Sequence, residues 1–372
     1  MSNYFINKAN NLIPINATTK ILSESQAGAY HTSLKAYEST PLVHLPNLAK
    51  RFNVANIYVK NEAFRFGLNA FKGLGASYAI HKLIQENKAI DTFCTATDGN
   101  HGRAVAWAAQ LAGKKSVVFV PRDTTQNRII AIEKEGAKVI KIDGNYDETC
   151  AHAEKISLKE NWQLVQDTAW DNYEHIPAQI MAGYLTHFQE LENSLHTLPK
   201  AKIDIVFLQA GVGSWAGSAI WYYLKRYGIN RPKLVIVEPQ EAAGILASFE
   251  ANKRQNPIGN YETIMAGLNC GIPSSTAWEI IKNGADAAIK IKDMYAEQAI
   301  RALFYPKNDD LSIIAGESGV GGLAGFMYLM TDKNNGGLIK TLNINEQTNV
   351  LFYNTEGTTD VDSFNEIVGK KK

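Results

Sequence analysis

Seven short runs rich in β-branched and other apolar residues punctuate the chain: Ile57–Lys60, Thr92–Thr97, Ser116–Pro121, Lys138–Ile142, Ile203–Gln209, Leu234–Glu238 and Asn349–Asn354. Several are apolar almost without interruption. A strand with one wet face alternates, whereas an unbroken apolar strand must be covered on both sides, as parallel strands under helices are. Helix-like stretches lie between the runs. RAVAWAAQLAGKK (Arg103–Lys115) and TTQNRIIAIEKEGAK (Thr124–Lys138) each close on a glycine followed by lysine or alanine-lysine, the pattern of a helix end. This alternation predicts a doubly wound α/β protein that binds ligands beyond the carboxyl ends of its strands. At 372 residues the chain exceeds one small core. No repeat or long Pro/Ser linker divides it, so two domains would exchange the chain more than once and leave a cleft between them.

Charge narrows the partners. Lys and Arg number 38 against 37 Asp and Glu, a formal net charge of +1, so no bulk field draws the protein to nucleic acid or an anionic membrane. No apolar run reaches the ~18 residues of a membrane span. The start, MSNYFINKANNLIPIN, is polar and lacks the apolar core of a signal peptide. Cys94, Cys150 and Cys270 are distant from one another and match neither a zinc cluster nor a disulfide framework, so a reducing cytoplasm is the expected setting.

Chemistry concentrates where strands give way to helices. NEAFRFGLNAFKGLGAS (Asn61–Ser77) sets Lys72 among small and apolar neighbours. Its stem could simply pack while the ammonium reaches water; alternatively the amine is kept dry enough to be neutral and nucleophilic. QAGVGSWAG (Gln209–Gly217) follows a strand directly and opens a helix, where free N–H groups and glycines suit a phosphate or merely a tight turn. It is neither a Walker loop nor a clean dinucleotide fingerprint. TATDGNHGRAVAWAA (Thr95–Ala109) repeats the architecture with Asp98, Gly99, Asn100 and His101, a set that caps a helix and also suits a carboxylate ligand. VQDTAW places Asp167 in an apolar stretch, as a hydrogen-bond anchor or as an acid/base group of raised pKa. AGESGVGGLAG (Ala315–Gly325) is another glycine-rich loop, whose Glu317 is a candidate cofactor contact, and LFYNTEGTTD brings Thr355 to a strand end. A lysine for an imine, a glycine cradle and a strand-end hydroxyl together fit pyridoxal phosphate.

In order and context, over roughly residues 40–360, NEAFRFGLNAFKGLG, TATDGNHGRAVAWAA, VQDTAW, LQAGVGSWAG and NTEGTTD resemble the fold-type-II pyridoxal-phosphate enzymes, the family of threonine deaminase and tryptophan synthase β. Related dehydratases usually carry Ser or Thr before GNHG; Asp98 there resembles the diaminopropionate ammonia-lyase branch. The resemblance implies two open, twisted, mostly parallel sheets flanked by helices, with the site in the cleft between a large discontinuous domain (1–92 and 175–372) and a small one (93–174). It implies Lys72 as the lysine that carries the cofactor, Gly211, Val212, Gly213 and Ser214 as phosphate donors, Asn100 near the pyridine 3-oxygen and Thr355 near the ring nitrogen. Asp98 and Asp167 then look like the acid/base pair, with Asp98 as base for the D isomer, and Gly99, His101 and Tyr146 as further substrate contacts. The implied reaction is elimination on 2,3-diaminopropionate of either hand, giving pyruvate and two ammonia, in a homodimer. A serine/threonine dehydratase or another β-eliminating or β-replacing enzyme of the same fold is the alternative. Some relatives place a cation near a Glu-Pro strand end; VEPQEAAGI keeps Glu238 but has Gly244 where a second carboxylate would stand, so no metal is expected.

Overall fold

The computed structural model describes residues 3–97, 99–197 and 202–369. Eleven strands run through these residues: β1 Tyr4–Ile6, β2 Leu42–His44, β3 Asn56–Asn61, β4 Thr92–Ala96, β5 Lys115–Val120, β6 Lys138–Lys141, β7 Gln163–Leu164, β8 Ile205–Gln209, β9 Lys233–Pro239, β10 Ala287–Ile291 and β11 Asn349–Asn354. They form a seven-stranded sheet of order β1-β10-β9-β8-β11-β3-β2 and a four-stranded sheet of order β6-β5-β4-β7. The smaller sheet is parallel throughout. In the larger one only the edge strands β1 and β2 run antiparallel to their neighbours.

Apolar runs without alternation are explained by helices on both faces. Along β8, Val206 and Leu208 enter one buried cluster, shared with the helices Lys72–Glu86 and Ser214–Tyr227. Ile205 and Phe207 enter another, shared with the helix Gly321–Thr331. The smaller sheet repeats this, with Val117 and Phe119 facing one way and Val118 and Val120 the other.

Strand order also fixes where a ligand can sit. In the large sheet the chain departs from β8 toward β9 and β10 on one side and returns as β11 on the other. In the small sheet it departs from β4 toward β5 and β6 and returns as β7. At such reversals the connecting segments leave in opposite directions and open a crevice at the carboxyl ends of the strands.

A buried ionic cluster ties β3 to the helix Leu185–His196. Lys60 Nζ donates to Glu190 Oε2 at 2.8 Å and to the Thr40 carbonyl at 2.6 Å. Arg65 Nε donates to Glu62 Oε2 at 2.8 Å, and its Nη2 donates to Glu190 Oε2 at 2.7 Å. Two cations face two carboxylates, so no charge is left uncompensated, the condition under which buried ions are tolerated.

Candidate active site

Both reversals deliver side chains to one cavity of about 700 Å³. From the large sheet, β8 leads into Gly211, Val212, Gly213 and Ser214, and β11 leads to Thr355 and Glu356. From the small sheet, β4 leads to Thr97, Asn100 and His101, and β7 leads to Asp167. Lys72, first residue of its helix, projects between them with a fifth of its side chain accessible. Tyr146 and Tyr184 add aromatic wall. Tyr146 is held by Gln166, whose Nε2 donates to its hydroxyl at 2.9 Å.

One end of the cavity is built from backbone. Gly213 has φ +91°, a left-handed conformation that side chains resist, and it stands as the cap of the helix Ser214–Tyr227. That turn aims the first N–H groups of a 14-residue helix at the cavity, where no carbonyl of the helix can pair them. A Cβ on Gly211 would fall 2.7 Å from Cys270 Sγ, so the loop lies tight against its neighbour and a side chain there would displace it. The Ser214 hydroxyl donates to the Asp167 carbonyl at 2.6 Å, which ties this loop to the acid of the opposite sheet.

At the other end, Gln209 Nε2 donates to Thr355 Oγ1 at 2.9 Å and to the carbonyls of Gly319 and Tyr353, both at 2.9 Å. The Thr355 oxygen thus accepts from Gln209, and its own proton remains for an acceptor in the cavity, such as a pyridine nitrogen. A phosphate cradle, an amine and a hydroxyl donor around one cavity fit pyridoxal phosphate.

Lys72 Nζ donates to Asp167 Oδ2 at 2.5 Å. Burial works against the Lys72 ammonium, but the Asp167 carboxylate more than offsets it and holds the lysine well above its ordinary value. Burial likewise opposes the Asp167 charge, and the Lys72 ammonium, by its charge and its hydrogen bond, pulls the acid well below the carboxylate range. Of the alternatives open for each residue, the charges favour neither a neutral amine nor an acid of raised pKa: close opposite charge outweighs desolvation, and the pair is ionic. His101 Nε2 bonds the Val165 carbonyl at 2.8 Å, so Nε2 carries the proton and Nδ1 is an acceptor. Burial lowers its pKa and keeps it neutral. Nδ1 is buried without a hydrogen-bond partner among the described residues, and lies 3.7 Å from Asp167 Oδ2. An unpaired acceptor beside a carboxylate is a place for a cationic N–H.

Other expected residues fall differently. Asp98 lies outside the described residues. Gly99 is not among the cavity-lining residues; its N–H donates to Thr97 Oγ1 at 3.0 Å and shapes the turn. Glu317 does not line the cavity, because Ser363 Oγ donates to its Oε1 at 2.5 Å and draws it toward the C-terminal helix Val361–Gly369. Glu356 lines the cavity in its stead. It was within reach of sequence reasoning, being adjacent to Thr355 in NTEGTTD, but nothing in that string says which way its side chain turns. Tyr184 and the wall from Ala266 to Gly271 carried no motif at all. Glu238 caps the helix Gly244–Ala251, accepting from the N–H groups of Ile245 at 2.7 Å and Leu246 at 2.8 Å. Among the described residues no group of three His, Cys, Asp or Glu side chains is placed to hold a metal ion.

A family model described as pyridoxal-phosphate dependent enzyme matches residues 34–340. A diaminopropionate ammonia-lyase of Escherichia coli K12 is 38% identical, over 95% of this chain and 94% of its own. The chain belongs to the pyridoxal-phosphate-dependent enzymes, in the diaminopropionate ammonia-lyase family. A crystal structure of the Escherichia coli ammonia-lyase, in complex with an aminoacrylate-PLP azomethine reaction intermediate, superposes with a TM-score of 0.91 at 37% identity, covering 99% of this chain and 97% of that one. A biosynthetic L-threonine dehydratase of Haemophilus influenzae is 26% identical, over 84% of this chain and 58% of its own. The α/β architecture of two mostly parallel sheets is that of the fold-type-II enzymes of this family.

Proposed function

We propose that this chain eliminates ammonia from 2,3-diaminopropionate, D and L, and, with one water consumed, yields pyruvate and two ammonia. The observation that carries the reading is the anionic Asp167, 2.5 Å from Lys72 and beside the unpaired His101 Nδ1, in a cavity that also holds a phosphate cradle. Bound pyridoxal phosphate supplies an electron-withdrawing ring that lets the α-carbon of an amino acid release its proton. Lys72 would carry the cofactor, the N–H groups of Gly211, Val212, Gly213 and Ser214 would hold its phosphate, and Asn100 and Thr355 would face its ring.

The protein's own groups then select the substrate. Ammonia leaves a carbon readily only while that nitrogen keeps its extra proton. Asp167, held ionised, stabilises a β-ammonium by charge, and His101 Nδ1 accepts one of its hydrogens. A serine or threonine hydroxyl brings no such charge. Lys72, as the free amine once it no longer carries the cofactor, would take the α-proton on its side, and the Asp167 carboxylate beside it would stabilise the ammonium so formed. Asp98 is proposed as the base for the opposite hand.

The 26% identity to a threonine dehydratase keeps one second reading, elimination of water from serine or threonine. Purified protein supplied with pyridoxal phosphate, each isomer of diaminopropionate, serine and threonine separates the two. Keto acid and ammonia in a one-to-two ratio from both diaminopropionate isomers is the expected result, and D98N should lose D turnover more than L. Faster turnover of serine or threonine would replace the proposal. Borohydride reduction followed by peptide mapping should place the cofactor on Lys72.

We further propose residues 93–174 as the smaller domain, a homodimer in solution and a cytoplasmic setting. Light scattering tests the dimer. Among the described residues no helix is long and apolar enough to cross a membrane.

A further inference from the structure

Glu356 links the two sheets at the cavity. It follows β11 of the large sheet, and its Oε2 accepts from Nδ2 of Asn100, the first residue of the helix after β4 of the small sheet. Its Oε1 accepts from the Ser318 N–H at 3.1 Å. Two of the four glycines of AGESGVGG, Gly316 and Gly319, leave room for Glu356. A Cβ on Gly316 would fall 3.0 Å from Glu356 Oε1, and one on Gly319 would fall 3.0 Å from the Glu356 nitrogen and 2.6 Å from Asn354 Oδ1. The loop whose Glu317 was a candidate cofactor contact is thus packed around Glu356 and forms its socket.

Polarity gives the socket a consequence. An ionised carboxylate only accepts, and both of its oxygens are engaged, so Asn100 must turn its NH₂ toward Glu356. The orientation of an asparagine amide is otherwise free to invert, at little cost in shape. We propose that Glu356 is a positioning residue for the elimination, fixing which end of the Asn100 amide the cavity presents to the cofactor; this rests on the cofactor placement proposed above. Burial, and then repulsion from Glu317, push the Glu356 acid up to about 7, against Arg128, the Ser318 N–H and Asn100 itself. Protonation near neutrality would let the acid donate and permit the amide to turn over.

E356Q tests this, because its amide is isosteric and cannot accept from both Ser318 and Asn100. Dissociation constants for pyridoxal phosphate are read from the absorbance of the bound cofactor for wild type, E356Q, N100A and the double variant, from pH 6 to 9. E356Q should weaken cofactor binding about ten-fold, as expected for a hydrogen bond to a charged group. It should also alter the spectrum of the bound cofactor and abolish the inflection of the wild-type affinity near pH 7. In the N100A background it should add nothing. An equal loss with and without Asn100, or no loss at all, overturns the proposal. If E356Q does not fold, E356D retains the charge and runs in the same cycle: N100A should then cost as much affinity in E356D as in wild type, and a smaller cost overturns the proposal. Wild-type protein that bound no pyridoxal phosphate would instead refute the reading of the site itself.

Discussion

Lys72 and Asp167 hold each other charged, and that sets how the site is loaded. An ammonium cannot attack an aldehyde, so the raised Lys72 pKa slows capture of pyridoxal phosphate at neutral pH. Replacing Asp167 with asparagine leaves burial as the main influence on Lys72, and burial lowers its pKa. D167N should therefore capture added cofactor faster than wild type at pH 7, with the rate levelling off at lower pH, as stopped-flow absorbance would record. Turnover of diaminopropionate by the loaded variant should nevertheless fall by about 10²–10⁴-fold, since the acid proposed to hold the leaving ammonium is gone. Faster capture without loss of turnover would remove Asp167 from the chemistry. At this scale the sequence was most readable where a residue type has few reasons to stand where it does. Lys72 among glycines, His101 after Asn100 and Gly211–Ser214 after a strand were all legible, and all line the cavity. Glu317 and Glu356 were not separable, because both neighbour glycines and only tertiary packing decides which one turns inward.

Elements were legible in proportion to how fully they are buried. The seven runs read as strands are strands β3 to β6, β8, β9 and β11 within a residue or two at each end. The four others escaped notice: β1, β2 and β7 have only two or three residues each, too few for a pattern, and β10, AAIKI, is buried by its neighbours although alanine is a poor strand former. Both expected helix ends hold, with Gly113 at φ +67° and Gly136 at φ +87°. Gly213 applies the same conformation at the start of a helix, and there it lines the cavity. G213A should cost about 1–3 kcal/mol of stability from backbone strain, and its Cβ would press to 2.8 Å from Ile281 Cδ1. Since the loop must shift to relieve this, cofactor affinity should fall as well. Chemical denaturation and cofactor titration read the two losses separately, and an unchanged affinity would mean that the loop does not hold the phosphate in the way described.

Across the whole molecule, buried carboxylates of two kinds shape stability against pH in opposite directions. Burial opposes the Glu62 charge, but Arg65, His187 and Lys60 draw its acid well below the usual range, as Lys72 does for Asp167. The stability these groups contribute is complete above the ordinary carboxylate pKa and is lost as pH falls through their lowered values. Glu238 and Glu356 behave inversely. Burial raises the first to about 8 against its two backbone N–H partners and Lys290, and the second to about 7. Both bind a proton more tightly folded than unfolded, so what they contribute is complete below the ordinary value of 4.5 and is lost as pH rises through about 7 and about 8. Between the two limits this amounts to about 5 kcal/mol for Glu238 and about 3 kcal/mol for Glu356. The protein should then be most stable near pH 5, by the window these four groups define, and should lose stability steadily toward pH 9. Denaturant unfolding across that range measures the slope. E238Q should flatten it, losing some stability at pH 5, where its amide cannot accept from both Ile245 and Leu246, while gaining relative to wild type at pH 9, where no charge is left to bury. A slope unchanged by E238Q would show that Glu238 keeps its charge at neutral pH, with the two N–H groups at the start of Gly244–Ala251 outweighing its burial.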